Sequence, residues 1–140
     1  MNATVVTALS AAAWMPPLWL LQAAVAAVWL YEGFWCKVLA RSPHEFEVVE
    51  QVPFLAPSTS HALLRVLGVL ETALGIWILT PWQPIAAAAA QTALLIGLNA
   101  SGIYFSRQRI PDPVGMVLKN TVLLVLAWVT ASLVAGSARL

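Results

Sequence analysis

The chain has 140 residues, of which 61% are hydrophobic and only 9% charged, with a mean hydropathy of +0.83. Soluble domains carry about 25% charged residues, so this composition excludes a soluble globular fold. The net charge of +1 and the absence of a basic cluster exclude a nucleic-acid partner.

Residues 1–17 are read as a lead. Met1–Met15 carries no Lys or Arg, so the charged region of a secretory signal is missing. Ala3–Trp14 reads as a short interfacial helix, a disordered lead or an extension of the first span, and Pro16-Pro17 sets it apart. Four apolar runs follow, at Leu18–Leu39, Ala62–Leu79, Pro84–Ser106 and Pro113–Ala135. A helix needs about 20 residues to cross the hydrocarbon core. The expected fold is therefore all-α: a polytopic, antiparallel four-transmembrane-helix bundle formed by residues 18–140, one membrane domain in a lipid bilayer.

Between the first two spans, Ser42-Pro43-His44-Glu45 is a capping box with proline at the first helical position. It opens a short interfacial helix that Pro53 ends. Pro84 starts the third span, and Asp112-Pro113 caps the fourth.

Lys37, Arg41, Arg65, Arg107, Arg109 and Lys119 lie in or near loops 40–61 and 107–112, whereas Arg139 alone marks the opposite side. The positive-inside rule places both loops in the cytoplasm and both termini outside. Trp14, Trp19, Trp77 and Trp82 fit an outer aromatic belt, Trp35 and Tyr104 an inner one.

Cys36 stands alone, so an intrachain disulfide and the C-x-x-C chemistry of the vitamin K epoxide reductase type are excluded. It reads as a small apolar side chain. His44 and His61 lack ligand spacing, and no metal site is expected.

The informative residues are the charges inside the spans. Glu32 and Glu71 sit within apolar runs, where a charged group costs roughly 2.5–3.5 kcal/mol. Glu32 is about seven residues from Leu39, Glu71 eight from Leu63, Asn99 seven from Ser106 and Asn120 seven from Pro113. At the helical rise each is roughly 10–12 Å deep. All four spans thus offer a polar group to one layer, with Lys119 beside it and the long stem of Lys37 able to reach it.

His61, Leu64, Gly68, Glu71, Gly75 and Ile78 form one stripe, so Glu71 is expected to face the bundle interior. Val28, Glu32, Trp35 and Leu39 share a face of the first span. Lys37 lies about 140° from Glu32 on an α-helix, so it is expected to serve Glu71 or a loop carboxylate instead. Of the adjacent Lys119 and Asn120, one at most points squarely inward. Ala93, Gly97 and Ser101 form a small-residue stripe for close helix packing, within the protomer or across a dimer. Two readings of the polar layer stand: a binding site, or a network that fixes helix register.

The segments Trp29-Leu-Tyr-Glu-Gly-Phe-Trp-Cys-Lys37 and Leu67-Gly-Val-Leu-Glu-Thr-Ala-Leu-Gly75, with Lys119-Asn120 opening the last helix, resemble the DoxX-like family of small bacterial membrane proteins. The likeness covers about residues 18–135. It implies a four-helix bundle in the bacterial inner membrane, and a link to quinone-dependent redox complexes or to the assembly of membrane proteins. Having only Cys36, the chain departs from relatives with thiol motifs, which argues against autonomous catalysis.

The leading expectation is an accessory protein whose layer of Glu32, Lys37, Glu71, Asn99, Lys119 and Asn120 binds a quinone or lipid, or holds a partner helix. Glu32 and Glu71 would accept hydrogen bonds, Lys37 and Lys119 donate them, and Trp29 and Trp35 form walls. The alternatives are an oligomeric small-solute transporter or channel, and a membrane subunit of a quinone-linked oxidoreductase. A homo-oligomer or a membrane partner protein fits each.

Overall fold

The computed structural model describes residues 15–138, so the expectation for Ala3–Trp14 lies outside the described residues. Helix α1 spans Leu18–Leu30 and continues as a wider π-wound segment, Tyr31–Val38. Helices α2 (Pro43–Val49), α3 (Pro57–Ile78), α4 (Pro84–Ser106) and α5 (Pro113–Ser137) follow, with a single 3-10 turn at Arg107–Arg109. No strand occurs among the described residues.

Four segments are long and apolar enough to cross a bilayer: Leu18–Val38, Pro57–Ile78, Pro84–Arg109 and Pro113–Ser137. The protein is a multi-pass, all-α membrane protein. A third or less of each span is buried inside the bundle, so most of its apolar surface is left for lipid.

Proline opens α2, α3, α4 and α5, where its missing N–H leaves no hydrogen bond unmade. One of these starts is earlier than hydropathy suggests: α3 begins at Pro57, five residues before Ala62. Its first turn, Ser58-Thr59-Ser60-His61, is polar and so escapes a hydropathy count. The Asp112 carboxylate caps α5 by accepting the Gly115 amide at 2.8 Å. The capping box expected at α2 does not form, because the Ser42 side chain makes no cap bond. Glu45, its other member, is drawn inward to Lys37 at 3.1 Å.

The bundle is held most tightly where the π-wound end of α1 crosses α3. A Cβ on Gly33 would stand 2.6 Å from the Gly68 carbonyl oxygen, and one on Gly68 would stand 2.8 Å from that of Gly33. Two backbones touch here, which only glycine allows. Farther along, Gly75 receives Leu30. The apolar core below this crossing contains Val25, Ala26, Trp29, Leu74, Ile78, Leu95 and Ala127. On α3 the buried residues include Leu64, Gly68, Glu71, Gly75 and Ile78, the stripe read from sequence, with Ser60 in place of His61.

Two expectations of facing take definite form. Val28, Trp35 and Leu39 are 40–48% exposed, so they form an outer face of α1. The inner face carries Val25, Ala26 and Trp29, then Gly33, Cys36 and Lys37. Val28 is exposed before the winding changes at Tyr31, so this face already points outward in the regular part of α1. Of the two alternatives for the small-residue stripe of α4, packing within the protomer does not occur: Ala93 and Ser101 are exposed, and a Cβ on Gly97 would meet no atom within 4 Å.

The glycine crossing makes a direct prediction. Gly33→Ala should lower the thermal unfolding temperature in detergent, by the equivalent of about 1–3 kcal/mol for overpacking. Gly97→Ala, at an open helical position, should leave it unchanged or raise it slightly. Equal behaviour of the two variants would contradict the backbone contact.

Candidate functional site

An α-helix places residues five apart on different sides. In the π-wound segment the backbone bonds reach one residue farther, as between the Leu39 amide and the Phe34 carbonyl at 2.9 Å. Residues five apart then come onto one flank. The Lys37 Nζ lies 3.8 Å from the Glu32 carboxylate and 3.5 Å from the Glu32 carbonyl oxygen. The 140° separation expected for these two residues is thus corrected by the local winding.

Lys37 is buried, at 6% exposure, and its ammonium collects three carboxylates. Glu71, 1% exposed on α3, accepts from it at 2.7 Å. Glu45, from α2, lies at 3.1 Å. Glu32 stands at the rim with its side chain 46% exposed. The placement of Glu45 depends on a turn at Ala40, whose φ of 52° sends the chain back over the end of α1. A non-glycine residue in that region is uncommon. Glu45 is the loop carboxylate that the sequence allows for without identifying.

Three carboxylates face one ammonium, so the cluster is acid-rich. Burial pushes the Glu45 carboxyl from an ordinary 4.5 up to about 7, with Lys37 opposing and Glu32 reinforcing the shift. Glu45 is therefore about half protonated near neutral pH, and it can donate as well as accept.

Ligand atoms of Glu32, Cys36 and Glu45 lie within 4.8 Å of one another. Sequence spacing gives no hint of this triplet, because its members meet only through the π-winding and the return of α2. The ammonium of Lys37 beside both carboxylates opposes a cation there.

The other predicted residues divide. Asn120 donates to Asn99 at 2.7 Å, a separate, half-buried pair between α4 and α5. Lys119 is exposed and points away from that pair. It joins neither group, since its neighbour Asn120 holds the inward position. Trp29 is no pocket wall: it is 2% exposed in the core and donates to Gln91 at 2.9 Å. Gln91 was not singled out from sequence, although it is the lone amide in the alanine-rich start of α4. Trp35 is 48% exposed, with the Arg41 guanidinium 5.7 Å from its ring centre. A small cavity of about 20 Å³ between Val25, Gln91 and Thr130 lies toward the Thr80–Pro84 turn, away from Lys37.

α2 roofs the cluster. The Ser106 hydroxyl donates to the Val48 carbonyl at 2.6 Å, and His61 meets Glu50 at 2.6 Å and the Phe46 ring edge-on. These contacts bring loops 40–61 and 107–112 to the same end of the bundle.

The model of the DoxX-like family matches residues 26–128, and the chain belongs to that family. The match takes in Glu32, Lys37, Glu45, Glu71, Asn99 and Asn120. No curated protein and no solved structure matches the chain.

The ion pair sets a second prediction. Removing one partner of a buried pair costs about 3–5 kcal/mol, so Glu71→Gln and Lys37→Met should each sharply lower the unfolding temperature. The double variant should recover part of the loss. Strictly additive losses in this double-mutant cycle would show that the two side chains are not coupled.

Proposed function

We propose that this DoxX-like membrane protein is an accessory, non-catalytic protein that holds the polar head of an amphipathic ligand, a quinone or a lipid. The observation that carries the reading is the convergence of Glu32, Glu45 and Glu71 on Lys37, with more carboxylates than the lysine neutralises. Lys37 is occupied, since its three N–H groups face Glu71, Glu45 and the Glu32 residue. The groups left for a ligand are the carboxylates at the rim. Glu32 offers an acceptor, and the half-protonated Glu45 offers a donor to a ligand carbonyl. A fixed charge pair below a titratable rim suits binding and orientation. Electron transfer would need a redox centre brought by the ligand or a partner protein.

The reading further places the protein in the bacterial inner membrane, with loops 40–61 and 107–112 in the cytoplasm and both termini outside. The excess of Lys and Arg at the loop end supports that orientation.

Lipid extraction and mass spectrometry of the purified protein test the ligand. A quinone or one lipid class should copurify, and Glu32→Gln should change its retention while leaving the unfolding temperature close to that of the parent. Retention unaffected by Glu32→Gln and by Glu45→Gln would leave the cluster with a purely structural role. For orientation, a reporter that fluoresces only in the cytoplasm, fused after Leu140, should stay dark. Bright cells would mean the opposite topology.

A further inference from the structure

A second polar site lies outside the Lys37 cluster, where α4 meets its terminal 3-10 turn. A pocket of about 350 Å³ is lined there by Gln51, Tyr104, Ser106, Arg107 and Arg109, among others. That volume is within the range of small-molecule sites, about 300–1,000 Å³. Both arginines are exposed, and neither is ion-paired with a carboxylate among the described residues. Ser106, by contrast, is spent on the Val48 carbonyl and fixes the floor. Two unpaired guanidinium groups at the end of a membrane span are suited to an anionic phosphate oxygen.

Tyr104 lines the pocket and also heads an exposed track of small residues on α4 that shares Ala93 and Gly97 with the small-residue stripe. Tyr104 is 81% exposed. Below it on the same side of α4 lie Ala100, Gly97 and Ala93, all exposed, at steps of four, three and four. The position of a Cβ on Gly97 has no neighbour within 4 Å, so the track is uncovered there. From Tyr104 to Ala93 it runs about 16 Å at the helical rise, against about 15 Å for half the hydrocarbon core. One acyl chain fits that length.

We infer that this face binds an anionic phospholipid, its phosphate held by Arg107 and Arg109 and one acyl chain lying along Tyr104, Ala100, Gly97 and Ala93. The phenol of Tyr104 stands where head and chain meet, the level at which amphipathic rings gather in bilayers. Specificity is for the charge: a zwitterionic lipid offers the same phosphate with a cation beside it, which the two arginines repel.

Native mass spectrometry of the full-length protein, with phosphatidylglycerol or phosphatidylcholine titrated into the detergent, tests this. Phosphatidylglycerol should be retained in preference. Arg107→Gln with Arg109→Gln should weaken its retention roughly thirtyfold, from about fivefold for each basic residue near an anionic surface. Retention of phosphatidylcholine should not change. Equal retention of phosphatidylglycerol by parent and variant would overturn the site. Displacement of that lipid by inorganic phosphate alone would reassign it to a free anion. Gly97→Leu, which covers the track without touching the bundle, should lower retention while the mass of the assembly stays constant. If it splits a dimer and leaves lipid retention intact, the track belongs to a second copy of the chain and the acyl assignment fails. Unfolding temperatures near the parent value for both variants exclude misfolding as the cause.

Discussion

The ion pair of Lys37 and Glu71 is the constraint on which the rest of the helical arrangement depends. An ammonium removed from water in a bundle this apolar is tolerable only if its hydrogen bonds are met at short range. A short contact between long side chains on two helices requires those helices to be close. Gly33 and Gly68 supply that approach, backbone against backbone, one turn from the pair. The π-winding of Tyr31–Val38 then turns Lys37 inward while keeping Glu32 on the same flank. The left-handed Ala40 brings Glu45 back over the top. Glycines, winding and turn each carry a local conformational penalty, and each is explained by the same buried charge.

The second half of the bundle solves its polar problem with neutral groups. Asn99 and Asn120 bond to one another, and Trp128 donates to Thr92 at 3.0 Å. Such amide and hydroxyl bonds between membrane helices contribute modestly, about 0.6 kcal/mol on average. They fix register without demanding close contact. α4 buries Ala87 and Ala88 near its start, while Ala93, Gly97 and Ser101 lie on its outer face. The charged and neutral halves meet through the Trp29–Gln91 bond in the core.

Much of this was legible in the sequence because lipid imposes simple rules. Span number, proline-marked starts, the Asp112 cap and the inward stripe of α3 all follow from hydropathy, helix-end chemistry and a constant period of 3.6 residues. The pairing of Lys37 with Glu71 followed from depth and facing alone. What sequence reasoning lost was lost where the period changes. Facing on α1 was counted at 100° per residue through a segment that winds more widely, so Glu32 was set apart from Lys37; Trp35 does share the face of Val28, but that face is the outer one. Lys119 was placed with the layer by depth, but adjacency to Asn120 made the inward position exclusive. Glu45 stayed hidden because its contact depends on a single reversed residue, Ala40, and its place in a capping box gave a sufficient local explanation. Gln91 went unnoticed because an isolated glutamine in a span carries no charge to draw attention.

The contacts also rank which part of the site yields first. Lys37 holds Glu71 at 2.7 Å within two long helices, whereas Glu45 is carried by a seven-residue helix with no fully buried residue. If α2 lifts, the ammonium keeps its innermost partner, and the penalty of stranding a buried charge is avoided. Separating Glu71 would strand it. Such an element belongs to the low-stability end of a structure, where a fold opens locally without unfolding. Glu45 titrates near neutral pH at this joint, and its charge decides how firmly α2 is held: the ionised form gains the attraction of Lys37 but pays for burial beside Glu32. Because its pKa stands above the ordinary carboxylate value, burial outweighs the attraction of Lys37, so protonated Glu45 holds α2 more firmly and its ionisation as pH rises through about 7 loosens it. The deep pair thus keeps the bundle in register, and the shallow carboxylates are the members of the cluster that can part from Lys37 without stranding its charge.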